Sequence, residues 1–410
     1  MARRVVVTGM GIVSCIGNDL NMVELALRQS QSGLKYVPEY VDLGFRSCIA
    51  GIPDVSTKPP IDRKFRRFMG DASIYAYHAL RSALEDSNLS NQRLFSPRTG
   101  LVVGSGVGSP FEHTLAMDTL RASGLSKVLP YAVPRIMGST TSACLATAFG
   151  IQGVSCSMTS ACATSAHCIG YGAELIQFNK QDVMIVGGAE EVHWTTTAPF
   201  DAMGALSTQY QNVTASRPYD INRDGFVIAG GAGILILEEL EHARNRGAQI
   251  YAEITGYGAC SDGQQDMVTP SAEGAARAMR LALAESNASG SETVVDYINA
   301  HATSTPIGDI SELEAIQAVF GGSAMPLISS TKGLTGHPIG ASAAHEAIYS
   351  ILMLKNEFIA GCTNILDLDP AIENMPILTH NVEQRINTIM SNSFGFGGTN
   401  VSLIFQRLVS

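Results

Sequence analysis

Short runs of small and branched apolar residues alternate along the chain with longer stretches whose bulky positions fall at helical spacing. Val5-Val6-Val7, Leu101-Val102-Val103 and Pro326-Leu327-Ile328 read as strands, as do residues 250–254 and 294–300. Gly153-Val154-Ser155-Cys156-Ser157-Met158-Thr159 alternates small and apolar positions and predicts a buried strand. From Cys162 to about Phe178 the bulky residues Ile169, Tyr171, Leu175 and Ile176 fall near helical spacing, so Cys162 stands where a strand gives way to a helix. Residues 223–237 predict a glycine-tipped hairpin, and residues 390–405, around Gly395-Phe396-Gly397-Gly398, predict another. A charged helix ends on Gly247 and marks the nearest thing to a boundary, giving halves 1–248 and 249–410. A strand, a small-residue loop and a helix surround Cys162, and a similar unit surrounds His337. The pattern is that of a duplicated α/β unit. Asp309-Ile310-Ser311-Glu312 fits a helix capping box.

Composition narrows the function. With 45% hydrophobic and 16% charged residues over 410 positions, the chain reads as a well-buried globular protein. No apolar run reaches membrane-spanning length, and Met1-Ala2-Arg3-Arg4 leads into a strand interrupted by glycine, so a cytoplasmic protein without membrane insertion is expected. Eight cysteines without C-x-x-C or zinc-like spacing argue against a metal site or disulfides. A net charge of −10 argues against nucleic-acid binding. Against that acidity, Arg63, Lys64, Arg66 and Arg67 place four positive charges within five residues, a patch suited to steering an acidic partner. The glycine clusters at Gly9 and Gly104 lack a full dinucleotide fingerprint, and no nicotinamide cofactor is expected.

The candidate chemistry rests on three residues. Cys162 at a helix start meets free backbone N–H groups and the positive end of the helix dipole, which favour a thiolate and can also donate to an oxyanion. His301 and His337 follow predicted strands, in Gly/Ser/Thr-rich loops, and ligands bind beyond the carboxyl ends of strands in open α/β sheets. His78, His113, His193, His242, His345 and His380 have no such context and read as structural.

Together with Val5–Ser14, Ser160–His167, Phe200–Ser207, Arg217–Phe226 and Ser393–Asn400, these positions resemble β-ketoacyl-acyl-carrier-protein synthases, most of all the synthase I branch. The resemblance runs essentially end to end. It implies a thiolase fold, two duplicated α/β halves in five αβαβα layers, and decarboxylative Claisen condensation that lengthens an acyl chain by two carbons. Cys162 would hold the acyl group, and its N–H with that of Phe396 would form the oxyanion hole. His301 and His337 would stabilise the malonyl-derived enolate as neutral donors. Lys332, paired with Glu346, would support the histidines, and Thr303 and Thr305 would contact the pantetheine arm. Phe396 would gate the acyl chain, while Phe200 reads equally as tunnel lining or core. The basic patch would dock acyl carrier protein, loaded with acyl or malonyl groups on its phosphopantetheine arm. No other cofactor is implied, and a homodimer is.

Two positions depart from the pattern: Ala302 replaces a common glycine, and Val107 stands where synthase I relatives carry glycine and synthase II relatives a larger aliphatic residue. Val107 is therefore a candidate wall of the acyl pocket. The alternatives are a synthase II-like enzyme, a polyketide condensing subunit, or a non-catalytic chain-length partner, which would lack the nucleophile. A degradative thiolase would need a second cysteine near the glycine-rich end, and none is present.

Overall fold

The computed structural model describes residues 3–263, 266–288, 292–322 and 324–408. Ten strands of the described residues form one sheet. The first five are Val5–Val13 (β1), Thr99–Gly104 (β2), Ser155–Cys156 (β3), Val183–Glu190 (β4) and Gly231–Glu239 (β5). The second five are Ala252–Ser261 (β6), Tyr297–Asn299 (β7), Leu327–Ser329 (β8), Thr388–Gly395 (β9) and Thr399–Gln406 (β10). Their order across the sheet is β3-β2-β4-β5-β1-β6-β10-β9-β7-β8.

Counted from its own first strand, each half has the order 1-5-4-2-3. The directions match as well. The fifth strand runs antiparallel to the first and fourth, while the fourth, second and third are parallel, in both halves. The halves join where Val5, Val6 and Val7 pair antiparallel with Ile254, Glu253 and Ala252. The duplication expected from the sequence is thus written in the strand connectivity.

Helices fill three layers around the two half-sheets. Asp71–Ser87 (α1) packs on β1 and β5 from outside. Thr164–Gln177 (α2) lies against β4 and β2 on the opposite face. Ala272–Asn287 (α3) and Pro306–Phe320 (α4) pack together, α3 covering the outer face of β6 and β10. Ser342–Asn356 (α5) touches α2, β5 and β9, and its residues from Ser342 to Leu354 are all buried. A helix enclosed all round belongs in a middle layer. The result is the αβαβα stack.

Three expectations about elements need correction. The strand predicted from Gly153 is only the two residues of β3, and their side chains are not buried, because β3 is the edge of the sheet. Residues 223–237 are not a hairpin: Ile228–Ala229 pairs parallel with Ile49–Gly51 in a separate three-stranded sheet, and β5 starts afresh at Gly231. The Asp309–Glu312 capping box does not form, since the helix begins at Pro306, whose fixed φ suits a first helical position. Asp309 instead accepts from the N–H groups of Ser304, Thr305 and Tyr219. The second hairpin is present, with Gly395 opposite Thr399.

Candidate active site

Cys162 is the middle residue of a one-turn 3-10 segment, Ala161–Ala163, that leads into α2. Ala161 sits at φ +49°. Left-handed backbone costs an alanine roughly 1–2 kcal/mol, so neighbouring groups have to hold it. The Thr164 hydroxyl accepts from the Ser160 N–H at 2.9 Å and donates to the Ala161 carbonyl at 2.7 Å. The Thr399 hydroxyl donates to the Ser160 carbonyl at 3.1 Å, and the Ser160 hydroxyl meets His167 Nδ1 at 2.8 Å. The sharp turn leaves the Cys162 side chain facing a cavity.

His301 leaves the end of β7, and His337 follows β8 after a short turn of helix, Lys332–Thr335. Their rings meet edge to face with centroids 5.2 Å apart, and His337 Nε2 lies 3.0 Å from Cys162 Sγ. All three donors fall within 4.8 Å of one another. Three segments separated by up to 175 positions thus converge on one point.

The electrostatics of the triad are dominated by burial. Burial pushes the Cys162 thiol up to about 12, opposed by the Lys332 charge and by the backbone N–H groups of Phe396 and Cys162. The resting group is therefore a thiol, against the thiolate expected from a helix start. The dipole of one helix is outweighed by desolvation. Burial and Lys332 hold both histidines well below their ordinary range, with His337 adding to the effect on His301. They are neutral at pH 7.

Lys332 is buried; its ammonium donates to the His301 carbonyl at 2.7 Å and contacts the Glu346 carboxylate on α5. Burial pushes Glu346 up to about 7, and Lys332 opposes that shift. Glu312, read from the sequence only as part of a cap, turns its buried carboxylate to the His301 and Ala302 N–H groups at 2.9 and 2.8 Å. Ala302 lies outside the left-handed region and packs among Tyr219 and Ala300, so alanine fits where glycine is common.

The cavity above the triad holds ≈ 360 Å³ and is walled by Phe200, Phe226, Phe396, Thr303 and Thr305. Phe396 stands in the β9–β10 turn, 6.4 Å from Phe200 between ring centroids. The hydroxyls of Thr303 and Thr305 lie 3.3 Å apart.

Other candidates fall elsewhere. Val107 does not line the cavity and is 44% exposed on the single chain, because its N–H is drawn inward to Glu190 while its side chain stays outside. Arg63, Lys64, Arg66 and Arg67 are exposed on and beside a single turn of helix capped by Asp62, and none of them lines the cavity. Sequence reading passed over Glu190, took Glu312 only as part of a cap, and gave His167 and Thr399 no role of their own. Each acts on a segment distant in sequence or one turn away.

Comparison with known proteins agrees with this architecture. The family model for the β-ketoacyl synthase N-terminal domain matches residues 2–243, and that for the C-terminal domain matches residues 251–366. The chain is 54% identical to 3-oxoacyl-[acyl-carrier-protein] synthase 1 of Haemophilus influenzae, with 99% of each chain covered. It is 51% identical to the protein of the same name from Escherichia coli, again over 99% of each. It is 37% identical to 3-oxoacyl-[acyl-carrier-protein] synthase 2 of Vibrio harveyi, over 99% of each. Among solved structures, a β-ketoacyl synthase from Burkholderia phymatum superposes with TM-score 0.92 at 36% identity, over 99% of this chain and 100% of that one. A type II polyketide ketosynthase, in complex with its acyl-carrier protein and bound to the hexaketide, superposes with TM-score 0.89 at 29% identity, over 100% of both chains. With family models spanning most of its length and relatives above half identity, the chain belongs to the β-ketoacyl synthases.

Proposed function

We propose that the protein is a 3-oxoacyl-[acyl-carrier-protein] synthase of the synthase 1 kind, an acyltransferase that elongates fatty acids by decarboxylative condensation. The observation that carries this reading is the Cys162 sulphur 3.0 Å from His337 Nε2, beside His301, on the wall of an aromatic-lined cavity. The identity of 54% and 51% to synthase 1 proteins, against 37% to a synthase 2, favours that branch. Intact nucleophile and histidines speak against a non-catalytic partner subunit.

In the first step Cys162 sulphur attacks the thioester carbonyl of an acyl group delivered on a carrier's phosphopantetheine arm. The new S–C bond forms as the carrier's S–C bond breaks, and the thiol proton leaves on the carrier's thiol. The N–H groups of Cys162 and Phe396, which both favour negative charge on the sulphur, are the donors this reading gives to the tetrahedral oxyanion. In the second step the malonyl thioester loses its carboxylate as CO₂. Neutral ring N–H groups of His301 and His337 hydrogen-bond the thioester oxygen as the enolate develops. Its carbon attacks the acyl-cysteine, the S–C bond to Cys162 breaks, and the sulphur regains a proton from solvent. Lys332 and Glu346 hold His301 from behind, and Phe396 covers the sulphur between substrates. Thr303 and Thr305 face the arm of the carrier. No further cofactor is needed for these steps.

Acyl carrier protein is the partner this chemistry calls for, and the polyketide relative is seen with one. The exposed patch of Arg63, Lys64, Arg66 and Arg67 suits its acidity. A second copy of the chain suits the exposed apolar side chains of Val107, Leu125 and Val133, the last two 76% and 69% exposed, and the open edge at β3.

The partial reactions test the assignment. Cys162→Ala is expected to abolish acyl transfer and condensation while retaining decarboxylation of malonyl-carrier. His301→Ala and His337→Ala should each lose decarboxylation and still accept some acyl group on Cys162. An alanine at 162 that elongates chains would sink the mechanism.

A further inference from the structure

The second half carries its own copy of the turn that presents the nucleophile. In the first half Ala161, at φ +49°, opens a 3-10 segment whose middle residue is Cys162, and α2 follows. In the second half Ile339, at φ +41°, opens Ile339–Ala341, Gly340 is the middle residue, and α5 follows. In the first half Cys162 lines the cavity. The Gly340 N–H is taken: it donates to Glu190 at 3.0 Å.

Glu190 ends β4 and is wholly buried. Its Oε2 accepts from Gly106 N–H at 2.7 Å as well as from Gly340. Its Oε1 accepts from the Ser105 hydroxyl at 2.6 Å and Val107 N–H at 3.3 Å. Three backbone N–H groups and a hydroxyl converging on one carboxylate make an anion nest. The fit is close on every side. A Cβ on Gly106 would come 2.7 Å from Oε2, and one on Gly340 would come 2.3 Å from the Gly106 nitrogen.

The carboxylate joins the two catalytic segments. The Ser105 carbonyl accepts from the Thr159 hydroxyl at 3.0 Å, three residues before Cys162. Gly340 lies three residues after His337, and Ile339 packs in the same apolar cluster as Cys162. A continuous path thus runs from Thr159 through Ser105 and Glu190 to Gly340.

We propose that Glu190 is a positioning residue, a carboxylate built into an anion nest at the second turn, which fixes the His337 segment against the Cys162 segment. Its activity readout rests on the condensation reading above; the nest itself does not. Glu190→Ala removes the internal anion and leaves a site for a small carboxylate, with formate as the probe. Parent and variant are compared in formate and in chloride at equal ionic strength. In chloride the variant is expected to lose about tenfold or more in kcat for condensation, the scale of a displaced catalytic group, with little change in KM for malonyl-carrier. Formate, and not chloride, should raise its Tm by ligand linkage and restore part of kcat. The parent should show no formate-specific shift. A variant whose Tm and kcat are both indifferent to formate overturns the proposal. Should Glu190→Ala fail to fold, Glu190→Asp, one methylene short, is expected to fold and lose kcat at unchanged KM; parental kcat there overturns it equally. If the parent itself does not condense, the functional reading falls, and the formate-specific Tm shift still judges the nest.

Discussion

At the scale of single residues, the site is governed by what burial does to ionisable groups. His301 and His337 are held well below 6.5 by burial and by the Lys332 ammonium. They bind fewer protons in the native protein than in the unfolded chain. Their contribution to stability is therefore complete above about 6.5 and declines as pH falls from there toward the folded values. The same sign governs catalysis: decarboxylation by Cys162→Ala should hold constant from pH 8 to pH 6, with its acid limb below the ordinary histidine range. Lys332→Met removes the nearby cation and should move that limb upward while lowering the plateau. A limb that stays in place in Lys332→Met would show that burial alone depresses the rings. The three reacting residues were legible in the sequence because each follows a strand in a loop of small residues. Their protonation states were not, because desolvation depends on what the other half of the chain lays over them. Glu312 was misread for a similar reason: its spacing from Asp309 fits a cap, but Pro306 had already started the helix.

At the scale of elements, the nucleophile turn depends on the β9–β10 hairpin pressed against it. A Cβ on Gly395 would fall 2.8 Å from the Thr399 hydroxyl, 3.0 Å from the Ser160 carbonyl and 3.1 Å from the Cys162 nitrogen. Gly395→Ala is thus expected to push the hairpin away from the turn and widen the gap between the Phe396 and Cys162 N–H groups. A loss in kcat of roughly tenfold to a hundredfold should follow, the range for displacements near 1 Å, with a small fall in Tm. Gly138→Ala, where an added Cβ meets nothing within 4 Å, is the control and should match the parent. The hairpin itself could be read from its glycines and flanking apolar residues. β3 could not: its alternating pattern runs on over residues 157–159, beyond the register it keeps with β2, and a strand at a sheet edge has a neighbour on one side only. The pattern of residues 223–237 misled for the opposite reason. Gly230 and Gly231 carry no turn, and Ile228–Ala229 takes its partner from Ile49–Gly51, a pairing no local pattern announces.

At the scale of the whole molecule, an acidic chain of net charge −10 keeps a small basic surface at Arg63, Lys64, Arg66 and Arg67. Reversing those charges should raise KM for acyl-carrier substrate, more at low salt than at high, since exposed charges are screened. Alkylation of Cys162 by iodoacetamide should proceed at the parental rate. Equal damage to both readouts would make the patch structural. The duplication was visible in the sequence as two similar strand–loop–helix units. The shared 1-5-4-2-3 order was not, because connectivity across a sheet is set by pairings between segments far apart in sequence. That arrangement has a consequence for how the protein comes into being. The middle layer of the stack is α2 from the first half and α5 from the second, and β1 pairs with both β5 and β6. As the chain leaves the ribosome, its first 248 residues emerge with the inner face of their sheet covered by α2 alone. They stay so until residue 356 has been synthesised and α5 can settle onto them. Contacts of such long sequence separation form late and slowly, and an exposed apolar face invites aggregation in the interval. The feature that brings the two histidines to the cysteine is therefore also the one that leaves apolar surface of the nascent chain open until late in synthesis.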